Sequence, residues 1–174
     1  RKHQFHSSLL HTHFPSTTTK YQLMRQRGWI ICLLFLLAAC EQVNYRSSIP
    51  YAPVNYTLYI TSEYPHFVID NGFQVMTITE KKLQNEHIGY SGLLIWIGMD
   101  NAYHAADLCC PHCVKRTTPL TIDGLYATCE TCGEVFDISF GLGIPTKGIT
   151  REPLKKYTAL YRNMTTGAQL QIRN

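Results

Sequence analysis

The sequence predicts an all-β domain, a small antiparallel β-sandwich carrying two metal-binding loops. Three observations lead there. Short runs rich in β-branched and aromatic residues recur with turn signals between them. No amphipathic stretch of about ten residues stands out in the body of the chain. Five of the seven cysteines fall between residues 109 and 132, in two tight groups.

The runs follow in order. Residues 56–60 (Tyr-Thr-Leu-Tyr-Ile) and 66–70 (His-Phe-Val-Ile-Asp) read as strands. Asn71-Gly72 joins the second of these to residues 73–78, and Asn-Gly between two such runs is a strong hairpin signal because both turn positions need positive φ. Residues 80–91 are polar and aperiodic, so a loop or one helical turn is expected. Residues 92–98 (Gly-Leu-Leu-Ile-Trp-Ile-Gly) form a continuous apolar run suited to a buried strand. Further strands are expected at 101–107, 124–128, 134–138, 156–162 and 168–172. There is no internal repeat and no low-complexity tract.

Charge divides the chain. Residues 1–39 hold five of the 16 Lys and Arg and no acid, which leaves 11 basic and 12 acidic residues from Cys40 onward. The body therefore lacks the basic surplus that nucleic-acid binding needs, and no nucleic acid is expected as a partner. Met24-Arg25-Gln26-Arg27 reads as a basic n-region and residues 29–37 as an apolar h-region, too short for the ~20 residues that span a bilayer. Leu37-Ala38-Ala39-Cys40 follows, and this order resembles the lipobox of bacterial lipoproteins. The resemblance implies cleavage before Cys40 and lipidation of that residue. Residues 1–23 then read as sequence upstream of the native start, 24–39 as a lipoprotein signal peptide, 40–55 as a tether and 56–174 as the β domain. The expected location is the bacterial cell envelope, exported and lipid-anchored to a membrane.

The chemistry sits in Cys109-Cys110-Pro111-His112-Cys113 and Cys129-Glu130-Thr131-Cys132-Gly133. Two short loops, each with two soft ligands, can converge on one metal centre. Two ligand sets compete. Cys110 and Cys113 with Cys129 and Cys132 give C-x2-C, fifteen residues, C-x2-C, a zinc spacing. Cys110 and His112 with Cys129 and Cys132 give the other.

The wider order is Cys110-Pro111-His112, then Cys129-x-x-Cys132-Gly133-x-x-Phe136-Asp137, then Gly141 and Pro145, then Pro153-Leu154-x-x-Tyr157. It resembles the Rieske family over roughly residues 92–172. That resemblance implies a Rieske-like fold with a 2Fe-2S cluster, Cys110 and Cys129 on one iron and His112 on the other. Cys132 stands where the family has its second His. A thiolate there adds negative charge and implies a potential below that of a two-histidine centre. Cys109 and Cys113 would be spare thiols. The leader reads as a general secretory one that passes an unfolded chain, and the compartment it reaches favours disulfides.

Three functions are therefore expected to compete: an electron-transfer lipoprotein with an unknown redox partner protein; a Rieske-like domain, zinc-bound or disulfide-braced without metal, with a structural or binding role; and an envelope module presenting Tyr45, Tyr51, Tyr56, Tyr59 and Tyr64. Asp107, Asp123, Glu134 and Asp137 form no recognisable acid/base pair, and neither a Ser-His-Asp set nor a phosphate loop is present. No enzymatic turnover is expected.

Overall fold

The computed structural model describes residues 46–174. The expected leader, Cys40 and residues 40–45 of the expected tether lie outside the described residues. The regular structure of the described chain is almost wholly strand, so the fold is all-β as the sequence predicts. Eleven strands run in order: β1 (Val54–Tyr59), β2 (Gln74–Ile78), β3 (His87–Ile88), β4 (Leu93–Ile97), β5 (Tyr103–Asp107), β6 (Thr121–Asp123), β7 (Tyr126–Thr128), β8 (Val135–Asp137), β9 (Ile144–Lys147), β10 (Lys156–Met164) and β11 (Gly167–Arg173). A single helical turn, α1 (Ile60–Glu63), follows β1.

The strands form two antiparallel sheets. The larger has the order β2-β4-β5-β10-β11-β1-β3, and the smaller β6-β7-β8-β9. Leu58 of β1 and Leu170 of β11 share a core with Leu93 and Ile95 of β4, so the larger sheet curls around its own apolar face. The smaller sheet builds a second core with Leu94, Trp96 and Ala106.

Strand β4 explains why its run is continuously apolar. Leu93, Ile95 and Ile97 enter the first core, while Leu94 and Trp96 enter the second. All five have no solvent exposure. Side chains alternate across a strand, so burial on both faces requires an unbroken apolar sequence. Strand β5 divides in the same way, with Ala105 in one core and Ala106 in the other. The pair β4–β5 is thus the wall between the curled sheet and the cysteine-bearing layer.

Two expectations are corrected. Residues 66–70 are not a strand, so Asn71-Gly72 is not a hairpin turn. They lead into a short 3-10 turn at Ile69–Asn71, and Gly72 ends it at φ 75°. Side chains close this segment locally: Asn71 Nδ2 donates to the His66 carbonyl at 2.9 Å, and Gln74 Nε2 to the Val68 carbonyl at 3.1 Å. β2 pairs with β4 instead. The second correction concerns residues 46–55 of the expected tether, which pack on the domain. Ile49 is buried, Ser47 Oγ donates to Glu152 Oε1 at 2.8 Å, and β1 begins at Val54.

Candidate metal centre

The first cysteine loop leaves β5 and runs over residues 108–120. It is fastened at both ends by backbone bonds, Leu108 N–H to the Gly92 carbonyl at 3.0 Å and Leu120 N–H to the Leu108 carbonyl at 2.8 Å. The second loop, residues 129–134, joins β7 to β8. It is closed by Cys129 N–H to the Glu134 carbonyl at 2.9 Å.

Each loop makes the same tight turn. Val114 N–H donates to the Cys110 carbonyl at 2.9 Å, and Gly133 N–H to the Cys129 carbonyl at 2.8 Å. The residue after each second cysteine has positive φ, 50° at Val114 and 73° at Gly133. These turns aim backbone N–H groups at the first sulfur of each pair, from His112 and Cys113 toward Cys110 and from Thr131 and Cys132 toward Cys129. Such donors favour a thiolate and fix its direction.

The two turns bring Cys110, Cys113, Cys129 and Cys132 together, with all four sulfurs within 4.8 Å of one another. Across the loops, Cys110 Sγ lies 3.8 Å from Cys132 Sγ and Cys129 Sγ lies 3.9 Å from Cys113 Sγ. Cys110 and Cys129 are buried in the second core, while Cys113 and Cys132 reach toward its surface. Four thiols so placed can hold a metal ion. All five described cysteines are free thiols.

Burial pushes the Cys110 thiol up. It also pushes Cys113 up, to about 12, with the neighbouring thiols of Cys132 and Cys129 adding to the effect. Burial acts on Cys129 in the same direction. There it is outweighed by the N–H groups of Cys132 and Thr131 and by the thiols of Cys132 and Cys110, which hold Cys129 below the ordinary range. The backbone donors of the second loop thus ease loss of the Cys129 proton, while burial opposes it at Cys110 and Cys113.

The expected ligands divide. Cys110, Cys129 and Cys132 are in the quartet. His112 is not: its side chain is exposed, and it contributes to the first turn through its backbone N–H. Cys113, the alternative to His112, supplies the fourth sulfur. The spare thiol Cys109 is buried outside the quartet, 3.6 Å from the Cys110 carbonyl. Its thiol is pushed up to about 11, chiefly by burial.

The sequence did not point to the braces behind the loops. Asp107 is fully buried and accepts four hydrogen bonds: Cys109 N–H at 2.8 Å, Tyr90 N–H at 2.6 Å, Ser91 N–H at 3.0 Å and Tyr157 O–H at 2.7 Å. Glu134, also buried, clamps the second loop through Oε1, which accepts Ile149 N–H at 2.6 Å and Thr150 N–H at 3.1 Å. Each cysteine loop therefore rests on one buried carboxylate held mainly by backbone donors; both oxygens of Asp107 are bonded, whereas Glu134 is bonded through Oε1 and its buried Oε2 has no partner among the described residues. A buried charge so bonded is tolerated where a bare one is not. The motif position Tyr157 was the available signal for the first brace.

The tyrosines of the early body do not form one surface, since Tyr56 is buried in the first core while Tyr51 and Tyr59 are exposed. Tyr45 lies outside the described residues. Comparison with family models, with curated proteins and with solved structures finds no match to this chain.

Proposed function

We propose that the domain is a structural metal module of Rieske-like design, in which Cys110, Cys113, Cys129 and Cys132 hold one zinc ion that pins the two loops. On this reading it serves as a binding domain at the cell envelope, anchored by a lipid on Cys40. The observation that carries the metal reading is the sulfur spacing. A zinc–thiolate bond of about 2.3 Å makes the edge of a tetrahedron about 3.8 Å. The two cross-loop distances, 3.8 and 3.9 Å, fall on that edge. A 2Fe-2S cluster interposes two irons and two sulfides, so thiolates on opposite irons stand much further apart than one tetrahedral edge. The 4.8 Å limit on all four sulfurs and the exposed His112 weigh against that cluster and the electron-transfer role with it.

The ion would supply charge neutralisation and cross-linking, replacing protons on sulfurs of which two are disfavoured as thiolates by burial. The chain's own contribution is the pair of turns with their inward N–H groups and the Asp107 and Glu134 braces. The lipid anchor is supported by the order of n-region, h-region and Cys40 in the sequence.

Metal and sulfide analysis of protein purified anaerobically tests the reading. One zinc per chain, no acid-labile sulfide and no colour are expected. Two irons with two sulfides and a red-brown protein would overturn it in favour of the cluster.

A further inference from the structure

A cleft of about 590 Å³ opens on the outer side of the first cysteine loop, and none of the four clustered thiols lines it. Four separate segments build it: residues 51–53 before β1, Thr79 and Lys81 after β2, residues 87–92 around β3, and Arg116 on the cysteine loop itself. Lys81, His87 and Arg116 all line it, and no Asp or Glu does. Neither Lys81 nor Arg116 has an ion pair among the described residues, whereas the adjacent Lys82 is paired with Glu63.

Two tyrosines form its walls, each with a cation over its ring. The Arg116 guanidinium lies 5.8 Å from the Tyr90 ring centre, and Lys155 Nζ lies 6.0 Å from that of Tyr51. Asp107, the buried carboxylate behind this wall, is turned inward. It stands behind Gly89, where an added Cβ would come within 2.6 Å of Asp107 Oδ2, and its four hydrogen bonds are made within the wall. It therefore does not occupy the donors of Lys81 and Arg116.

Cationic side chains gathered without an acid repel one another, and an oxyanion relieves that repulsion while collecting their donors. Arg116 offers a planar fork and Lys81 a point charge, a pairing suited to phosphate. The cleft is larger than inorganic phosphate requires and has the size of an organic ligand site. The tyrosine faces suit the body of such a ligand. We infer that this cleft binds a phosphate-bearing organic anion, held by Arg116, Lys81 and His87 between Tyr51 and Tyr90. The site goes beyond the metal reading and is joined to it at one point. Arg116 sits three residues past Cys113, so the loop that the thiols shape delivers it to the cleft.

Calorimetric titration of the full chain with a hexose phosphate, with the unphosphorylated hexose and with inorganic phosphate tests the site. Sedimentation with phosphatidylglycerol or phosphatidylcholine vesicles separates a soluble source of the phosphate from a lipid headgroup. Binding of the hexose phosphate in preference to the hexose, or of phosphatidylglycerol in preference to phosphatidylcholine, is expected. Arg116→Gln and Lys81→Gln should each weaken it about tenfold, while Lys82→Gln leaves it unchanged. No binding of either phosphate-bearing probe, or affinity unchanged from the parent protein in both Arg116→Gln and Lys81→Gln, would overturn the inference. Metal content measured on the same samples keeps the two readings apart. Zinc-loaded protein that ignores both probes removes the anion site alone. Metal-free protein that binds them through Arg116 removes the metal reading alone.

Discussion

The hydroxyl of Tyr157 donates to Asp107 Oδ2 at 2.7 Å, tying strand β10 to the carboxylate beneath the first cysteine loop. The two residues are 50 positions apart in sequence, and both are buried. Tyr157→Phe keeps the ring in the first core and leaves Asp107 with its three backbone donors. A loss of about 1–3 kcal/mol in unfolding free energy is expected, with the metal content unchanged. Asp107→Ala strands the buried N–H of Cys109 and the part-buried N–H groups of Tyr90 and Ser91 as well as the tyrosine hydroxyl, so its cost should be clearly larger and should extend to the metal. Denaturant unfolding and metal analysis of the two variants check the order. Equal loss in both would mean that the tyrosine bond alone carries the brace.

The same tyrosine predicts weakness toward alkali. Burial raises the Tyr157 hydroxyl well above its ordinary value, and the bond to Asp107 raises it further. Burial raises Tyr103 to about 12, with the charge of Tyr161 adding to it. An unfolded tyrosine loses its proton near pH 10. Above about that pH the unfolded chain sheds protons that the folded chain keeps, so stability falls as pH rises. Below it both states are protonated and the contribution is complete. Tm should therefore drop as pH rises from about 10 toward about 12, and the drop should be shallower in Tyr157→Phe.

The quartet predicts which substitutions matter for metal. Cys110→Ser, Cys113→Ser, Cys129→Ser and Cys132→Ser should each remove a ligand and abolish stoichiometric zinc. His112→Ala should retain it, because the imidazole lies outside the site and the backbone N–H remains. A strong chelator should lower the Tm of the parent protein and leave that of Cys129→Ser where it was. Metal loss in His112→Ala with retention in Cys113→Ser would restore the histidine-containing ligand set.

The sequence made β4 legible because a strand buried on both faces must be apolar throughout, and residues 93–97 are. The short bridges β3 and β6 gave no such signal, since two or three residues at the edge of a sheet need no apolar alternation. β9 was not among the expected strands, and it carries Pro145, which has no N–H to give to a ladder. The proline is tolerated because β9 is an edge of the smaller sheet, where one side of the backbone needs no partner. The β-rich residues 66–70 failed for the opposite reason: β4 pairs with β2 and β5, which left the segment to be closed by the side chains of Asn71 and Gln74. At the site, the spacing of the cysteine pairs was legible. The choice between His112 and Cys113 was not, because it depends on Val114 taking φ 50°, a conformation a β-branched residue does not advertise. At the matching position in the second loop a glycine does advertise it.

Two glycines flanking Glu134 separate backbone strain from steric collision. Gly133 has φ 73° and nothing within 4 Å of an added Cβ. Gly133→Ala therefore meets only the cost of a left-handed backbone, about 1–2 kcal/mol. It should keep its metal, since the turn that aims the Cys129 donors is still made. Gly148 has φ 115°, and a Cβ there would overlap the Glu134 carboxylate. That carboxylate cannot step aside without abandoning the N–H groups of Ile149 and Thr150, both part-buried. Gly148→Ala should thus cost more than Gly133→Ala and should loosen the second cysteine loop. Zinc affinity, measured by competition with a chelator, should fall in Gly148→Ala and hold in Gly133→Ala. The reverse ranking would show that Glu134 does not hold the loop, and that the left-handed turn at Gly133 alone places Cys129 and Cys132.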